Sequence, residues 1–142
     1  GIDGKMIADC LKVKIKLVEE DEKDCGNRML LNLGHTVGHA VETLSCFTLA
    51  HGVCVAKGIA AALNVSKNYY RMPDEKYERL KSLLNEFDFD LTVPFKKEEI
   101  ISQIIKDKKY RGGVINFVTI FDIGDCRVQK FTLEELAGLL WM

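Results

Sequence analysis

Arg28-Met29-Leu30-Leu31-Asn32-Leu33-Gly34-His35-Thr36-Val37-Gly38-His39-Ala40-Val41-Glu42, followed shortly by His51-Gly52, is the stretch whose reading decides the fold. All three histidines of the chain stand at its positions 35, 39 and 51. Leu30, Leu33, Val37 and Val41 recur at helical spacing, which predicts one helix from Arg28 to Leu44. His35, His39 and Glu42 fall on another face of that helix. Gly34 and Gly38 stand four apart inside it, where glycine costs about 0.5–1 kcal/mol relative to alanine. Two such glycines predict close approach of a neighbouring helix or a ligand.

Working outward, Ser45 to Ala50 breaks the pattern and His51-Gly52 opens a third helix that runs to Arg71. Its first half holds Cys54, Ala56, Gly58, Ala60, Ala61 and Ala62 and is apolar nearly all round, so it belongs in the middle of the fold. On the other side, Ile2 to Glu20 reads as a first helix with Asp3 as its cap and lysines on a solvated face. Glu19 to Asn27 is an acidic loop. Asp74 is the expected cap of a fourth helix striped by Tyr77, Leu80, Leu83 and Leu84. Phe87 to Pro94 reads as extended. A fifth helix follows Lys96, with Ile100, Ile101, Ile104 and Ile105 inward. Asp107 to Gly113 is a basic, glycine-ended loop.

From Val114 to Phe121 the residues turn β-branched and aromatic, Gly124-Asp125 makes a turn, and Cys126 to Phe131 returns. Thr132-Leu133-Glu134-Glu135 is a capping box that opens a last helix to Leu140. The expected fold is therefore mainly α, a multi-helix domain over residues 1–142 with one small β-hairpin near the C-terminus.

Composition excludes several function classes. The 142 residues are 47% hydrophobic and 29% charged, as in an ordinary globular domain. Twenty Lys and Arg against 21 Asp and Glu leave a net charge of −1, so no global basic field exists for nucleic acid or an anionic membrane. No apolar run approaches the roughly 18 residues that span a bilayer. The five scattered cysteines never form CxxC and read as reduced thiols of a cytoplasmic protein, several of them in the core. The chain opens in the middle of a helical pattern without a start methionine, which reads as a piece of a longer protein.

Histidines at i and i+4 on a helix project the same way and can share a metal. Spacing alone pairs His35 with His39 and leaves His51 as a possible third ligand. HExxH is absent, because Thr36 stands where its glutamate would be. Arg28 and Asn32, at the start of the expected helix, suit a carboxylate or a phosphate through a guanidinium fork and free helix N–H groups. Lys108-Lys109, with Arg111 and Gly112-Gly113, offer charge and flexible backbone to a phosphate. Cys25 and Cys54 lie near the cluster in sequence and read as small buried thiols.

The string from Arg28 to Glu42 with Leu49-Ala50-His51-Gly52, the acidic Glu20 to Gly26 run and Asp107-Lys108-Lys109 resemble the signature of the 3-dehydroquinate synthase family, in its C-terminal, mostly helical half. The resemblance implies a phosphate-eliminating carbon–oxygen lyase of the shikimate pathway, the route to chorismate and the aromatic amino acids. Such an enzyme converts 3-deoxy-D-arabino-heptulosonate 7-phosphate to 3-dehydroquinate. It uses NAD and a divalent metal, zinc or cobalt. It also implies His35 and His51 as metal ligands, with His39 beside the substrate in proton relay and not on the metal. Lys14 and Arg28 would grip the substrate carboxylate, and Asn32 with Lys108 or Lys109 its phosphate end. Asp24 stands where the family often has glutamate. The family's third metal ligand, a glutamate in an Ala-Glu-Xaa-Ile-Lys stretch, and its NAD-binding domain lie upstream of this chain. The resemblance further implies a cytoplasmic homodimer for the full-length enzyme, and an isolated fragment that is inactive and holds zinc weakly or not at all. Two other readings stand beside it. One is a related sugar-phosphate cyclase such as 2-deoxy-scyllo-inosose synthase, whose glucose 6-phosphate has no carboxylate for Arg28 and Lys14. The other is a non-catalytic helical module.

Overall fold

The structure is a computed structural model that describes residues 2–21, 26–107 and 113–141. It is mainly α with one two-stranded hairpin, as the sequence predicts. The chain folds as two compact units, Gly1–Asn32 and Leu33–Met142.

The first unit holds helix α1 (Gly4–Glu20) and a 3₁₀ helix over Asn27–Asn32. Asp3 caps α1 as expected, accepting a 2.8 Å hydrogen bond from the Met6 amide. Lys5 and Lys12 both pair with Asp9 on the exposed surface. No residue of α1 is buried, and Ile7 and Leu11 remain 54% and 53% exposed.

The second unit is built on α3 (His51–Tyr70), which packs against α2 (His35–Leu44), α4 (Asp74–Asn85), β1 (Val114–Asp122) and α6 (Leu133–Leu140). Helix α5 (Lys97–Asp107) lies against α2. Val37 and Val41 of α2, Cys54 and Val65 of α3, and Ile100 and Ile104 of α5 share one apolar core. Strand β2 (Asp125–Thr132) pairs antiparallel with β1, from Val114 opposite Thr132 to Asp122 opposite Asp125, and Ile115, Phe117 and Phe131 carry the hairpin into that core. The expected capping box is complete: Thr132 accepts from the Glu135 amide and the Glu135 carboxylate accepts from the Thr132 amide.

Ser66, fully buried on α3, donates to the Ala62 carbonyl and accepts the Ile120 amide at 2.8 Å, tying α3 to β1. Lys57 is the one buried charge of α3. It is 3% exposed, and its ammonium donates to the carbonyl oxygens of Asp90 and Thr92 beside the Asp90 carboxylate. A buried ammonium needs such acceptors, and these pin the extended connection around Asp90 onto α3.

Four expectations need correction. The single helix from Arg28 to Leu44 is two elements, because Gly34 adopts φ +77° and interrupts the helical path before α2. Gly34 is thus the N-cap of α2, and only Gly38 lies inside a helix. Asp74 is the first residue of α4 and not its cap: Pro73 holds the cap position, and the Asp74 carboxylate pairs with Lys67 at 3.0 Å. Ile100 and Ile104 are fully buried and Ile101 packs against the core, but Ile105, at the far edge of the arc the four residues span, is 39% exposed. Of the cysteines described, only Cys54 is buried, while Cys10 and Cys46 are exposed. Cys25 lies outside the described residues.

Candidate metal centre

The site begins with a helix crossing made of hydrogen atoms where other residues carry Cβ. A Cβ on Gly58 of α3 would overlap the Gly34 carbonyl oxygen and lie 2.8 Å from the Gly38 amide nitrogen. A Cβ on Gly38 would stand 3.0 Å from the Cys54 carbonyl oxygen. Gly34 is required twice, for its left-handed backbone and because a Cβ there would come within 2.8 Å of the Ile59 amide. The close approach expected from paired glycines is therefore that of a neighbouring helix. It lets residues at the starts of two helices meet: His35 opens α2 and His51 opens α3.

The three imidazoles form a triangle. Ring centroids are 5.2 Å apart for His35–His39, 5.6 Å for His35–His51 and 5.9 Å for His39–His51. One nitrogen of each lies within 4.8 Å of the others. His35 is partly buried, whereas His39 and His51 are exposed, so the cluster opens to solvent.

Hydrogen-bond partners decide which nitrogens are free. His35 Nδ1 lies 3.0 Å from the Leu33 carbonyl oxygen, which can only accept. His51 Nδ1 lies 3.1 and 3.2 Å from the two carboxylate oxygens of Glu42. In both rings Nδ1 must therefore donate, and in the neutral imidazole Nε2 is left with its lone pair. Metal-bound histidines almost always anchor their second nitrogen this way. The donor set fits a divalent cation of the zinc type, which takes imidazole nitrogen at about 2.0–2.1 Å and keeps an open position in catalytic sites. Cys54 is fully buried, and that burial, with the Glu42 charge adding to it, pushes the thiol's pKa up and makes it a weaker acid, so this cysteine is a core residue and not a thiolate ligand or nucleophile.

The remaining candidates among the described residues belong to the first unit. Lys14 is exposed on α1, and Arg28 and Asn32 lie in the 3₁₀ helix of the first unit. Their expected place at the start of a helix running to Leu44 is corrected: they stand in a separate 3₁₀ helix that ends at Asn32, and α2 begins only at His35. Asp24, Lys108, Lys109, Arg111 and Gly112 lie outside the described residues. What the sequence reading missed is the service each partner gives. Glu42 was visible in phase with His35 and His39, but its pairing with His51 needed the fold. The Leu33 carbonyl carries no side-chain signal at all.

An open three-histidine cluster on crossed helices, a group that could hold a metal ion, defines a class of helical domain. Within that class, the chain belongs to the 3-dehydroquinate synthase C-terminal family, whose pattern matches residues 3–110. Among curated relatives, the 3-dehydroquinate synthase of Clostridium acetobutylicum is 40% identical over 92% of this chain and 37% of its own length. That of Thermococcus kodakarensis is 38% identical over 92% of the chain and 37% of its own. The chain thus spans less than two fifths of these relatives. A solved 2-deoxy-scyllo-inosose synthase, complexed with carbaglucose-6-phosphate, NAD+ and Co2+, shares the fold with a TM-score of 0.79 at 19% identity, over 95% of this chain and 39% of that one.

Proposed function

We propose that this chain is the metal- and substrate-binding part of an enzyme converting 3-deoxy-D-arabino-heptulosonate 7-phosphate to 3-dehydroquinate with release of phosphate. The observation that carries the reading is the histidine triangle, in which His35 and His51 both have Nδ1 engaged by an acceptor. His35 and His51 would hold a zinc or cobalt ion, which when bound polarises a substrate hydroxyl as a Lewis acid. NAD, held by an N-terminal domain, would carry the hydride.

The chain's own residues have distinct tasks in this proposal. His39 stands beside the other two rings and opens to solvent, so its ring can take a proton from a bound hydroxyl and pass it on. Lys14 and Arg28 bind the substrate carboxylate, the arginine by its two-pronged geometry. Asn32 and one of Lys108 and Lys109 bind the phosphate. The carboxylate role favours this substrate over glucose 6-phosphate, and the curated relatives at 32–40% identity are named 3-dehydroquinate synthase. The reading extends, through the family resemblance, to a cytoplasmic homodimer for the full-length enzyme. Among the described residues, no helix is long and apolar enough to cross a membrane.

The test is metal content and dehydroquinate formation in the intact protein that carries this chain. H35A and H51A each lose bound metal and lower turnover by more than the roughly 100-fold that loss of an outer partner costs. H39A lowers turnover and keeps the metal. Unchanged activity and metal content in H35A would sink the reading.

A further inference from the structure

We propose that Glu42 is a positioning residue for His51, fixing the tautomer and direction of the ring so that Nε2 faces the ligand position. This rests on the metal reading given above. Glu42 belongs to α2 and His51 to α3, nine residues apart across the turn that joins the two helices. Both carboxylate oxygens lie at hydrogen-bond distance from the same ring nitrogen, at 3.1 and 3.2 Å, so the ring is clamped and not merely touched. The Glu42 side chain is 19% exposed and that of His51 is 55% exposed. The shielded carboxylate is thus the anchor and the accessible imidazole is the part it presents.

The chemistry follows from what each atom can do. A carboxylate only accepts, so His51 Nδ1 keeps its hydrogen and Nε2 keeps its lone pair. A free neutral imidazole has no such constraint. Glu42 is not itself among the residues whose ligand atoms converge; those are His35, His39 and His51. It acts on a cation through His51, adding electron density to the ring and orienting it, as carboxylates behind metal-bound histidines do. The His35 ring is held by the Leu33 carbonyl instead, which no side-chain substitution can remove. Glu42 is therefore the mutable half of the device.

The experiment uses E42A and E42Q in the intact protein, with two measurements. The first is the nitrogen-15 spectrum of the His51 ring in metal-free protein, at a pH alkaline enough to keep imidazoles neutral. The parent protein and E42Q, whose amide oxygen can still accept, show hydrogen on Nδ1, and E42A shifts it to Nε2. The second is Zn2+ affinity by competition with a chelator. E42A weakens it 10–100-fold, the range for loss of such a partner; E42Q recovers part of the loss. A thermal melt confirms that each variant is folded; if E42A is not, E42Q carries the test through its Zn2+ affinity, which falls below the parent's, and an E42Q affinity equal to the parent's then overturns the proposal. An unshifted His51 tautomer in folded E42A, or E42A affinity equal to the parent's, overturns the proposal. Should the parent protein take up no Zn2+ while the tautomer still shifts, the Glu42–His51 clamp stands and the metal reading fails.

Discussion

Helices α1 and α3 have similar lengths, 17 and 20 residues, and both are rich in apolar side chains, yet they end in opposite circumstances. On α3 eight residues are buried, including a lysine and a serine, while on α1 none is. The difference does not lie in helix-forming tendency. α1 has the better cap, an aspartate bonded to the Met6 amide, whereas α3 starts at Ala50 with no side-chain cap. What α3 has is small residues on the faces that neighbours approach. Gly58 meets Gly34 and Gly38 backbone to backbone, and Ala56 and Ala62 are buried nearby in the chain. The comparison teaches that caps and periodicity decide whether a helix forms. The size of its residues decides how closely another helix can lie on it.

The sharpest way to break the comparison is G58A. Its methyl would overlap the Gly34 carbonyl oxygen, and backbone cannot swing aside as a side chain can. The expected loss exceeds the about 1–3 kcal/mol of ordinary overpacking, read as the fall in the denaturation midpoint, and the histidine triangle opens with it. A G58A protein of parental stability would mean that α2 and α3 do not cross as described.

Next in size is a matched pair of truncations. Leu63 on α3 is 2% exposed and Ile7 on α1 is 54% exposed. L63A costs about 2–5 kcal/mol by burial and cavity formation, and I7A stays within about 0.5 kcal/mol. Urea unfolding of both variants measures the contrast. An I7A loss as large as that of L63A would show that something covers the apolar face of α1.

The smallest effect comes from acid. Lys76 beside Asp122, with the Ile123 amide second, holds the Asp122 carboxyl below its ordinary 3.8. Arg127 does the same to Asp125. A lowered folded-state value means stability that is complete above the ordinary value and drains away as pH falls through the lower one. D122N therefore lowers the denaturation midpoint slightly at neutral pH and leaves it unchanged in strong acid. Exposure keeps the effect small. Equal loss at both pH values would mean that packing, and not the ion pair, is what the carboxylate supplies.

Much of this molecule could be read without coordinates, because its signals are local. Asp3 and Thr132 cap the helices they were expected to cap, since a cap needs only a side chain and amides two or three residues away. The hairpin and the central position of α3 follow from residue type and period. Local reading failed where a local signal was overruled. The apolar period from Leu30 to Val41 continues straight through Gly34, and only the backbone shows that the helix does not. Spacing alone pairs His35 with His39 and offers His51 only as a possible third ligand, for a related reason. Position i+4 brings two rings together on one helix, but His51 joins them from another.

The sequence by itself determined the helices other than the break at Gly34, the hairpin, the family and the three imidazoles as the chemical centre, because residue type, period and motif are properties of a chain. Tertiary structure alone decided how that centre is aimed. The meeting of His35 with His51, and the anchoring of His51 by Glu42 across a helix junction, depend on two backbones coming together at Gly34, Gly38 and Gly58. Distances of that kind are set by packing in three dimensions and have no counterpart in the order of residues.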